Sequence, residues 1–451
     1  MKNVFQGWLR LICLVAIFQC GPALRVRAAD SLVWREDQNQ VEADIESWPL
    51  SKVLESISAA TDWQIYVEPD TEYTVTTRFH NLLLPQTNGP ARLFIYRESV
   101  YNATQLIQVA KRPKPETPDG KPIPNELIVR LKPGAKESID ALAKRLGAKV
   151  VGRLDGFNAY RLQFDDAAAA QAARSELENN TDVESVENNF SVAAPGQLQP
   201  LAMSSPSSPS FKLAPPGSSD KLIVALVDTP VQSTRAPWAD YLVEAVSLAG
   251  EANPDPNQVT HGTAMMDTLW DALGKALDDP ASASLGFLSL DVYGNKSTTT
   301  MFDVARAIVE AVNKGARIVN LSLGGYGDSP LLDNVLAQAR AQGVLLVAAA
   351  GNDGGTALTI PASKPEVLAV TSGKPDGTIA SYANHGDFVD LIAPGASVIL
   401  YNHQAYLVTG TSTAAANASG AAAALSINNH QSPIEASAQI PKLRGFAPPK
   451  R

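Results

Sequence analysis

Apolar runs and helical segments alternate from residue 221 onward, and this alternation limits the folds open to the chain more than any other feature. Leu222 to Val227 is continuously apolar, which is typical of a strand buried on both faces. Repeated strand–helix units predict an α/β fold, a parallel sheet with helices on both faces. The other predicted elements are strands at Arg317–Leu323, Val344–Ala349 and Val367–Val370, and helices at Phe302–Lys314 and from Ser329 to Gly343.

Three polar residues lie where this fold would bring them together. Asp228 follows the strand that ends at Val227, while His261 and Ser412 each stand at the start of a predicted helix in a Gly/Thr-rich segment. In such sheets, ligands collect beyond the carboxyl ends of the strands. A serine hydroxyl is a poor nucleophile without an adjacent base, and Asp, His, Ser is one of the known chain orders of a catalytic triad. We therefore expect His261 to be the base for Ser412, with Asp228 fixing the tautomer of His261.

The segments around these residues, Ala225–Thr229, Thr260–Thr263 and Val408–Ala416, resemble those of the subtilisin-like (subtilase) serine proteases. The resemblance covers roughly residues 221–427. It implies hydrolysis of peptide bonds by acyl transfer, through a covalent ester on Ser412. It also gives Asn352 a role, because the family's corresponding Asn donates a hydrogen bond to the developing oxyanion. Without the resemblance, Asn352 in an Asn-Asp-Gly sequence is an ordinary turn residue.

The resemblance further implies a site for an extended peptide, which would add as a strand along Asn320 to Gly325. The alternative is a plain buried strand that ends in a Gly turn. In the family-based interpretation, one wall of the primary pocket consists of Ser322, Leu323 and Gly324, and the other of Ala350 and Gly351.

Residues 122–192 predict a ferredoxin-like β-α-β-β-α-β domain. The subtilase inhibitory propeptide has the same topology, and here the pattern directly precedes the protease-like region of residues 221–430. The Pro/Ser/Gly-rich segment 193–220 reads as a flexible, protease-accessible linker, so we expect processing near residues 190–220. The resemblance implies that the propeptide assists folding and inhibits the enzyme until it is cleaved.

Residues 31–112 predict a small α+β module, with strands at Leu32–Trp34, Val41–Asp44 and Trp63–Val67 and a helix from Leu50 to Ala60. The module is loosely similar to the N-terminal modules of secretins and TonB-dependent receptors. Any other small α+β domain fits equally well. An envelope partner is one role that the likeness suggests. A Pro/Lys-rich linker, Lys111 to Pro118, follows.

The first 28 residues have the pattern of a secretory signal peptide: Lys2 and Arg10, an apolar run from Leu11 to Phe18, and a cleavage site ending at Ala28. Both cysteines of the chain, Cys13 and Cys20, lie within it, and a lipoprotein interpretation of Cys20 is disfavoured by Phe18-Gln19. We therefore expect an exported, secreted or periplasmic protein whose mature form contains no cysteine.

Charge and composition exclude several classes of function. The net charge is −9, and removal of the basic signal peptide makes the chain more acidic, so no nucleic-acid partner is expected. No later apolar run is long enough to predict an integral membrane span. No metal ligand or cofactor is predicted. Calcium is left undecided, because acidic pairs such as Asp278-Asp279 occur without EF-hand spacing.

The sequence departs from the family pattern near the predicted triad. Pro230 stands where Gly is usual, Thr413 where Met is common, and Ala416 where Pro is usual. The chain also ends soon after Ser412, with a short tail at residues 431–451. We therefore consider three interpretations: an exported serine endopeptidase with an inhibitory propeptide, a catalytically inactive subtilase fold that binds or scaffolds in the cell envelope, and an envelope-docking protein in which the N-terminal module has the main role.

Overall fold

The computed structural model describes residues 120–449 except 196–198, 201–210, 215–220, 235 and 375–376, together with seven short strands and Lys52 before residue 120. The predicted signal peptide and the linker at Lys111–Pro118 lie outside the described residues, as does most of the predicted helix from Leu50 to Ala60. The chain divides into two compact units, Met1–Pro115 and Glu116–Arg451.

The N-terminal unit contains a three-stranded antiparallel sheet. Two of its strands confirm the predictions around Leu32 and Val41, and a two-residue strand falls within the predicted strand Trp63–Val67. The sheet has the order Ser31–Arg35, Gln40–Pro49, Thr74–Leu83; two separate pairs are Gln64–Ile65 with Arg92–Leu93, and Ile95–Glu98 with Thr104–Ile107.

The region over residues 122–193 has the predicted β-α-β-β-α-β order and is called the prodomain below. Its two helices begin at side-chain caps, Ser138 and Asp166. Along the first strand, Leu127 and Val129 pack beneath these helices, whereas Ile128 joins a core built mainly from residues after 221, which are called the catalytic domain below because they contain the predicted triad. One face of the prodomain sheet therefore packs on the prodomain helices and the other face on the catalytic domain, since successive strand residues face opposite sides. Its elements are Pro122–Leu131, Ile139–Arg145, Lys149–Leu154, Ala159–Gln163, Ala167–Glu178 and Val183–Ala193.

The catalytic domain is built on a seven-stranded sheet in which every neighbouring pair is parallel. The predicted strands near residues 222, 317, 344 and 367 are all present. The strand order is Leu242–Ser247, Leu285–Asp291, Leu222–Asp228, Ile318–Leu321, Leu345–Ala349, Val367–Gly373 and Leu391–Pro394.

Helices cover both faces of this sheet, as predicted. Val224 and Leu226 point into one apolar layer, and Ala225 and Val227 point into the other. Ser329 caps a helix whose first residue is Pro330, as its sequence indicated. The helices of the first layer are His261–Ala276 (the His261 helix) and Thr411–Asn429 (the Ser412 helix); those of the second are Met301–Asn313 (the Phe302 helix) and Pro330–Ala341 (the Pro330 helix).

Glycine lets the His261 and Ser412 helices approach each other closely. A Cβ atom on Gly420 would lie 2.4 Å from the Leu269 carbonyl oxygen. Only a residue without a side chain fits there, so backbone contacts backbone at this crossing. The close approach holds the two predicted catalytic helices in one layer.

Part of the predicted linker is packed on the catalytic domain, which differs from the flexibility expected of residues 193–220. Phe211 stacks on Trp270 with ring centroids 4.2 Å apart, in the space left by Gly274. The amide of Leu213 donates to the Tyr241 hydroxyl at 2.9 Å. Composition alone predicted flexibility because Trp270 and Tyr241, the partners of this segment, lie far from it in the sequence.

The C-terminal tail packs against the edge of the sheet. After the short helix Pro433–Ser437, Ile440 is fully buried. Ala447 then exchanges two backbone hydrogen bonds of 2.9 Å with Ile392, on the last strand of the sheet. The tail thus covers an edge that would otherwise present unpaired backbone groups. No helix in the described part of the chain is both long and apolar enough to span a membrane.

Candidate active site

Asp228 and His261 form the core of the candidate site. His261 Nδ1 lies 2.8 Å from Oδ1 and 2.9 Å from Oδ2 of Asp228, and both side chains are buried. Asp228 ends its strand, and His261 is the first residue of its helix, which Thr260 caps. With the proton on Nδ1, His261 donates to the carboxylate and leaves Nε2 as a base.

The glycine after His261 makes this pairing sterically feasible. A Cβ atom on Gly262 would lie 2.1 Å from the Thr229 carbonyl oxygen, and the Gly262 amide donates to Thr229 Oγ1 at 2.8 Å. The Thr229 backbone therefore packs directly against the first turn of the His261 helix. This contact gives a physical reason for the His-Gly sequence.

Ser412 lies in the first turn of its helix. Its hydroxyl donates to the Ser322 carbonyl oxygen at 3.1 Å; among the described residues, no hydrogen bond joins Ser412 Oγ to His261. Gly410, the residue before the helix, has φ 144°, a conformation that favours glycine. Rotation of the Ser412 side chain about its Cα–Cβ bond would break this hydrogen bond and let the hydroxyl donate to another acceptor.

A buried polar network, which was not predicted from the sequence, holds the backbone at Ser412. Ser419 Oγ donates to Asn320 Oδ1 at 2.9 Å, and Asn320 Nδ2 donates to Ser322 Oγ at 2.8 Å. Ser322 Oγ in turn donates to the Ser412 carbonyl oxygen at 3.0 Å. The available signal was an Asn within an otherwise apolar strand, because buried amides require partners.

Asn352 approaches the same helix from the strand Leu345–Ala349. Its Oδ1 accepts hydrogen bonds from the Thr411 amide at 2.9 Å and from Thr411 Oγ1 at 3.2 Å. The side-chain oxygen thus satisfies an amide at the helix start, where intrahelical acceptors are lacking. Nδ2 remains as the donor of the same half-buried side chain.

The two predicted pocket walls follow neighbouring parallel strands, Ile318–Leu321 and Leu345–Ala349. On one wall Ser322 and Leu323 are buried, followed by Gly324; on the other, Ala350 is buried and Gly351 has φ 106°. The Gly351 amide donates to Thr411 Oγ1 at 3.1 Å, which connects this wall to the Ser412 helix.

The departures from the family pattern are accommodated locally. The Pro230 carbonyl accepts a hydrogen bond from Thr260 Oγ1 at 2.6 Å, which ties that loop to the cap of the His261 helix. Ala416 and Thr413 are fully buried in the Ser412 helix. The hydrogen bond between Asp228 and His261 is present in spite of Pro230 and Ala416.

The prodomain pairs with the catalytic domain through its last strand. Ser191, Val192 and Ala193 pair antiparallel with Thr300, Thr299 and Thr298 of the catalytic domain. The amide of Ala194 then donates to the Ser297 carbonyl at 2.8 Å. Further along, Gln199 and Pro200 pair with Leu407 and Tyr406, on the strand that leads to Ser412. Neither of the catalytic-domain strands involved, Thr298–Thr300 and Gln404–Thr409, was predicted from the sequence.

Polar side chains bind the prodomain to the two helices of the second layer. Arg161 Nη1 donates to Asp303 at 2.9 Å, while its other nitrogens contact the buried Glu126. Glu187 accepts hydrogen bonds of 3.0 Å from Ser329 Oγ and from the Leu331 amide, at the start of the Pro330 helix. Burial raises the pKa of Glu187 to about 7, against the opposing effect of these two donors.

The described residues contain no cluster of three or more His, Cys, Asp or Glu side chains placed to hold a metal ion. Of the acidic pair Asp278-Asp279, the Asp279 side chain caps a short 3₁₀ helix by accepting from the Ala281 amide at 3.1 Å.

Comparison with known proteins identifies the family of the chain. The model of the subtilase family matches residues 219–440, and that of the fervidolysin N-terminal prodomain matches residues 109–189. Thermitase from Thermoactinomyces vulgaris is 30% identical over 205 residues, which cover 45% of this chain and 74% of thermitase. This chain belongs to the subtilase family.

Two further relatives extend the comparison. A thermophilic serine proteinase from Bacillus sp. (strain AK1) is 35% identical to this subtilase over 211 residues, covering 45% of the subtilase and 51% of the relative. The chain thus spans about half the length of that proteinase. The crystal structure of the epidermin leader peptide processing serine protease from Staphylococcus aureus matches with a TM-score of 0.53 and 17% identity, over 70% of this chain and 92% of that one; this likeness shows the fold.

Proposed function

We propose that this subtilase is a serine endopeptidase that uses Asp228, His261 and Ser412. The observation that carries the proposal is the bond between His261 Nδ1 and the buried Asp228 carboxylate, because it leaves Nε2 to accept a proton. Ser412 Oγ attacks the peptide carbonyl while its proton passes to Nε2. The imidazolium then protonates the leaving amine, and water hydrolyses the Ser412 ester by the same route.

Two donors face the developing negative charge in this mechanism. One is Nδ2 of Asn352, oriented because Oδ1 is held by Thr411. The other is the Ser412 amide, in a helix turn whose amides lack intrahelical acceptors. Such pre-oriented donors stabilise the tetrahedral oxyanion without reorganising during the reaction.

The prodomain would be both inhibitor and first substrate. The chain runs from Ala194, bonded at Ser297, to Gln199, paired beside Leu407 near the start of the Ser412 helix. Leu407 lies five residues before Ser412, so Gln199 is paired with the strand that leads to the proposed nucleophile. We therefore place self-cleavage between Pro195 and Gln199, within the broader interval predicted from composition.

Export is part of the same proposal. Its support is the signal-like pattern of residues 1–28 and a relative from Natrialba magadii that is named an extracellular serine protease. The envelope partner remains a prediction from the N-terminal module.

Labelling with a fluorophosphonate probe tests the activated serine. Wild-type protein freed of its prodomain should label, and Ser412→Ala should not. N-terminal sequencing of the wild-type product should give a first residue between 196 and 199, whereas Ser412→Ala should stay full-length. A mature N-terminus elsewhere would refute the cleavage site but not the peptidase.

A second candidate is an inactive subtilase fold that binds peptides. The observation that favours it is the Ser412 hydroxyl, which donates to Ser322 instead of His261. Folded, prodomain-free protein that binds peptides but neither labels nor cleaves them would support this candidate over the endopeptidase.

A further inference from the structure

Asn352 lies in a loop, so regular secondary structure does not fix its position. The strand before it ends at Ala349, and residues 350–355 belong to no helix or strand. An oxyanion donor is effective only if it is held in place before the charge develops, and a displacement of about 1 Å can cost about 10²-fold in rate. The backbone of Asn352 therefore requires partners of its own, in addition to those of its side chain.

Asn384 binds both peptide groups of Asn352. The backbone amide of Asn384 donates to the Gly351 carbonyl oxygen at 2.9 Å, on the peptide group before Asn352. Its side-chain Oδ1 accepts from the Asp353 amide at 2.9 Å, on the peptide group after Asn352. A single residue thus holds the chain on either side of the proposed oxyanion donor.

The position of Asn384 is itself fixed. The residue is fully buried, and its carbonyl oxygen accepts from Thr371 Oγ1 at 2.5 Å. Its Nδ2 donates to the Ala357 carbonyl oxygen at 3.4 Å. A Cβ atom on Gly351 would lie 2.5 Å from the same Nδ2, so the side-chain amide packs directly against the backbone next to Asn352. These contacts make Asn384 a rigid support.

Tyr326 contacts the same loop through a side chain. Its hydroxyl donates to the Asp353 carboxylate. Burial, together with this carboxylate, raises the pKa of Tyr326 to about 12, so the hydroxyl stays protonated and remains a donor at neutral pH. The bond joins the segments that follow the two predicted pocket walls, and it fixes the side chain of the residue after Asn352.

We propose that Asn384 is the positioning residue of the oxyanion donor, with Tyr326 supporting the same loop through Asp353. By holding both peptide groups of Asn352, Asn384 keeps Nδ2 directed at the developing charge. This inference rests on the proposed endopeptidase activity. The alternative is a purely structural role, in which the hydrogen bonds of Asn384 stabilise the loop without affecting the orientation of Asn352.

A double-mutant cycle separates the two roles. Asn384→Ala, which removes the acceptor of the Asp353 amide, is made in the wild-type chain and beside Asn352→Ala. Each enzyme is freed of its prodomain by immobilised wild-type enzyme, and its active sites are titrated with the fluorophosphonate probe. In the otherwise wild-type enzyme, Asn384→Ala should lower kcat about tenfold with little change in KM, because the donor acts in the transition state. Beside Asn352→Ala, the same substitution should change kcat by less than about twofold, because no donor is left to misplace.

Asn428 offers a matched control, because it also bridges backbone groups of a loop. Its Oδ1 accepts from the Asp278 amide at 3.1 Å, and its Nδ2 donates to the Ala276 carbonyl oxygen at 2.8 Å. Asn428 lies in the last turn of the Ser412 helix, whereas Ser412 lies in the first. Asn428→Ala should therefore keep kcat within about twofold of the wild-type value. Denaturant unfolding of both alanine variants shows how far stability alone accounts for any loss of activity.

Equal losses of kcat in both backgrounds would overturn the inference and leave the peptidase intact, as would an unchanged kcat in folded Asn384→Ala enzyme. Should Asn384→Ala fail to fold, Tyr326→Phe removes only one hydroxyl and decides instead. It should lower kcat about threefold in the wild-type background and have no effect beside Asn352→Ala; any other result would overturn the inference. Absence of both labelling and cleavage in the wild-type enzyme would overturn the proposed activity, and the inference with it.

Discussion

His261 Nδ1 contacts both carboxylate oxygens of Asp228, at 2.8 and 2.9 Å, although the two residues come from different elements of the fold. Asp228→Asn should preserve the packing but stabilise the wrong tautomer of His261. We expect kcat to fall by about 10⁴, the size of the effect in the trypsin-like triad. Steady-state kinetics on a peptide substrate measure it.

Asp291 provides the matched control. It lies opposite Asp228 on the neighbouring strand and is also buried, but its Oδ1 accepts from the amides of Tyr293 and Gly294 instead of from a histidine. Asp291→Asn should change kcat by less than about tenfold, since it removes no group of the proposed proton relay. Equal losses in the two variants would contradict the assignment of Asp228.

Asn352 combines a helix-cap acceptor with the proposed oxyanion donor, and two substitutions separate these roles. Asn352→Asp keeps an acceptor for the Thr411 amide but loses the donor; Asn352→Ala loses both. Both should lower kcat by about 10²–10³, the loss known for the oxyanion asparagine of subtilisin, a relative of this chain. Only Asn352→Ala should also lower the free energy of unfolding, by about 1 kcal/mol. If activity instead follows stability across the two variants, Asn352 has only a structural role.

Glu187 should make the stability of the full chain depend on pH. Its pKa is about 7 when docked, raised by burial, with Arg130 lowering it and Asp328 raising it; in the unfolded chain it returns to near 4.3. Because the docked state favours the neutral carboxyl, stability is fully present below the unfolded pKa and is lost as pH rises through 7.

The measurement uses the full chain with Ser412→Ala, which prevents self-cleavage. Between pH 5 and pH 8 this protein should lose up to about 3 kcal/mol relative to the same chain carrying Glu187→Gln, which cannot ionise. Denaturant unfolding at the two pH values gives the comparison. If the free energies of unfolding of the two proteins change equally between pH 5 and pH 8, Glu187 does not titrate in this range.

Gly420 should be needed for the contact between the His261 and Ser412 helices. In an exposed helix, Gly→Ala stabilises by about 1 kcal/mol; here the new Cβ would lie 2.4 Å from the Leu269 carbonyl oxygen. Gly420→Ala should therefore destabilise by about 1–3 kcal/mol. Gly355, with nothing within 4 Å of an added Cβ, is the control. A stabilised Gly420→Ala protein in urea unfolding would be inconsistent with this packing.

Local features of the molecule could be predicted from sequence because their causes lie within a few residues. The cap at Ser329 and Pro330 acts on the helix that it begins, and the apolar run Leu222–Val227 records burial on both faces. The candidate triad was predicted in the same way, since Asp228, His261 and Ser412 each sit in a short, distinctive segment.

Only the tertiary structure decided how distant segments contact one another. Arg161 binds Asp303 across 142 positions of the chain, Ser191 pairs with Thr300, and the tail joins the sheet at Ile392. Composition predicted a flexible linker around Phe211, but its ring stacks on Trp270. The local sequence determined the elements and the chemistry of the candidate site, whereas long-range packing determined the prodomain contacts and the position of Phe211, because each depends on partners far apart in sequence.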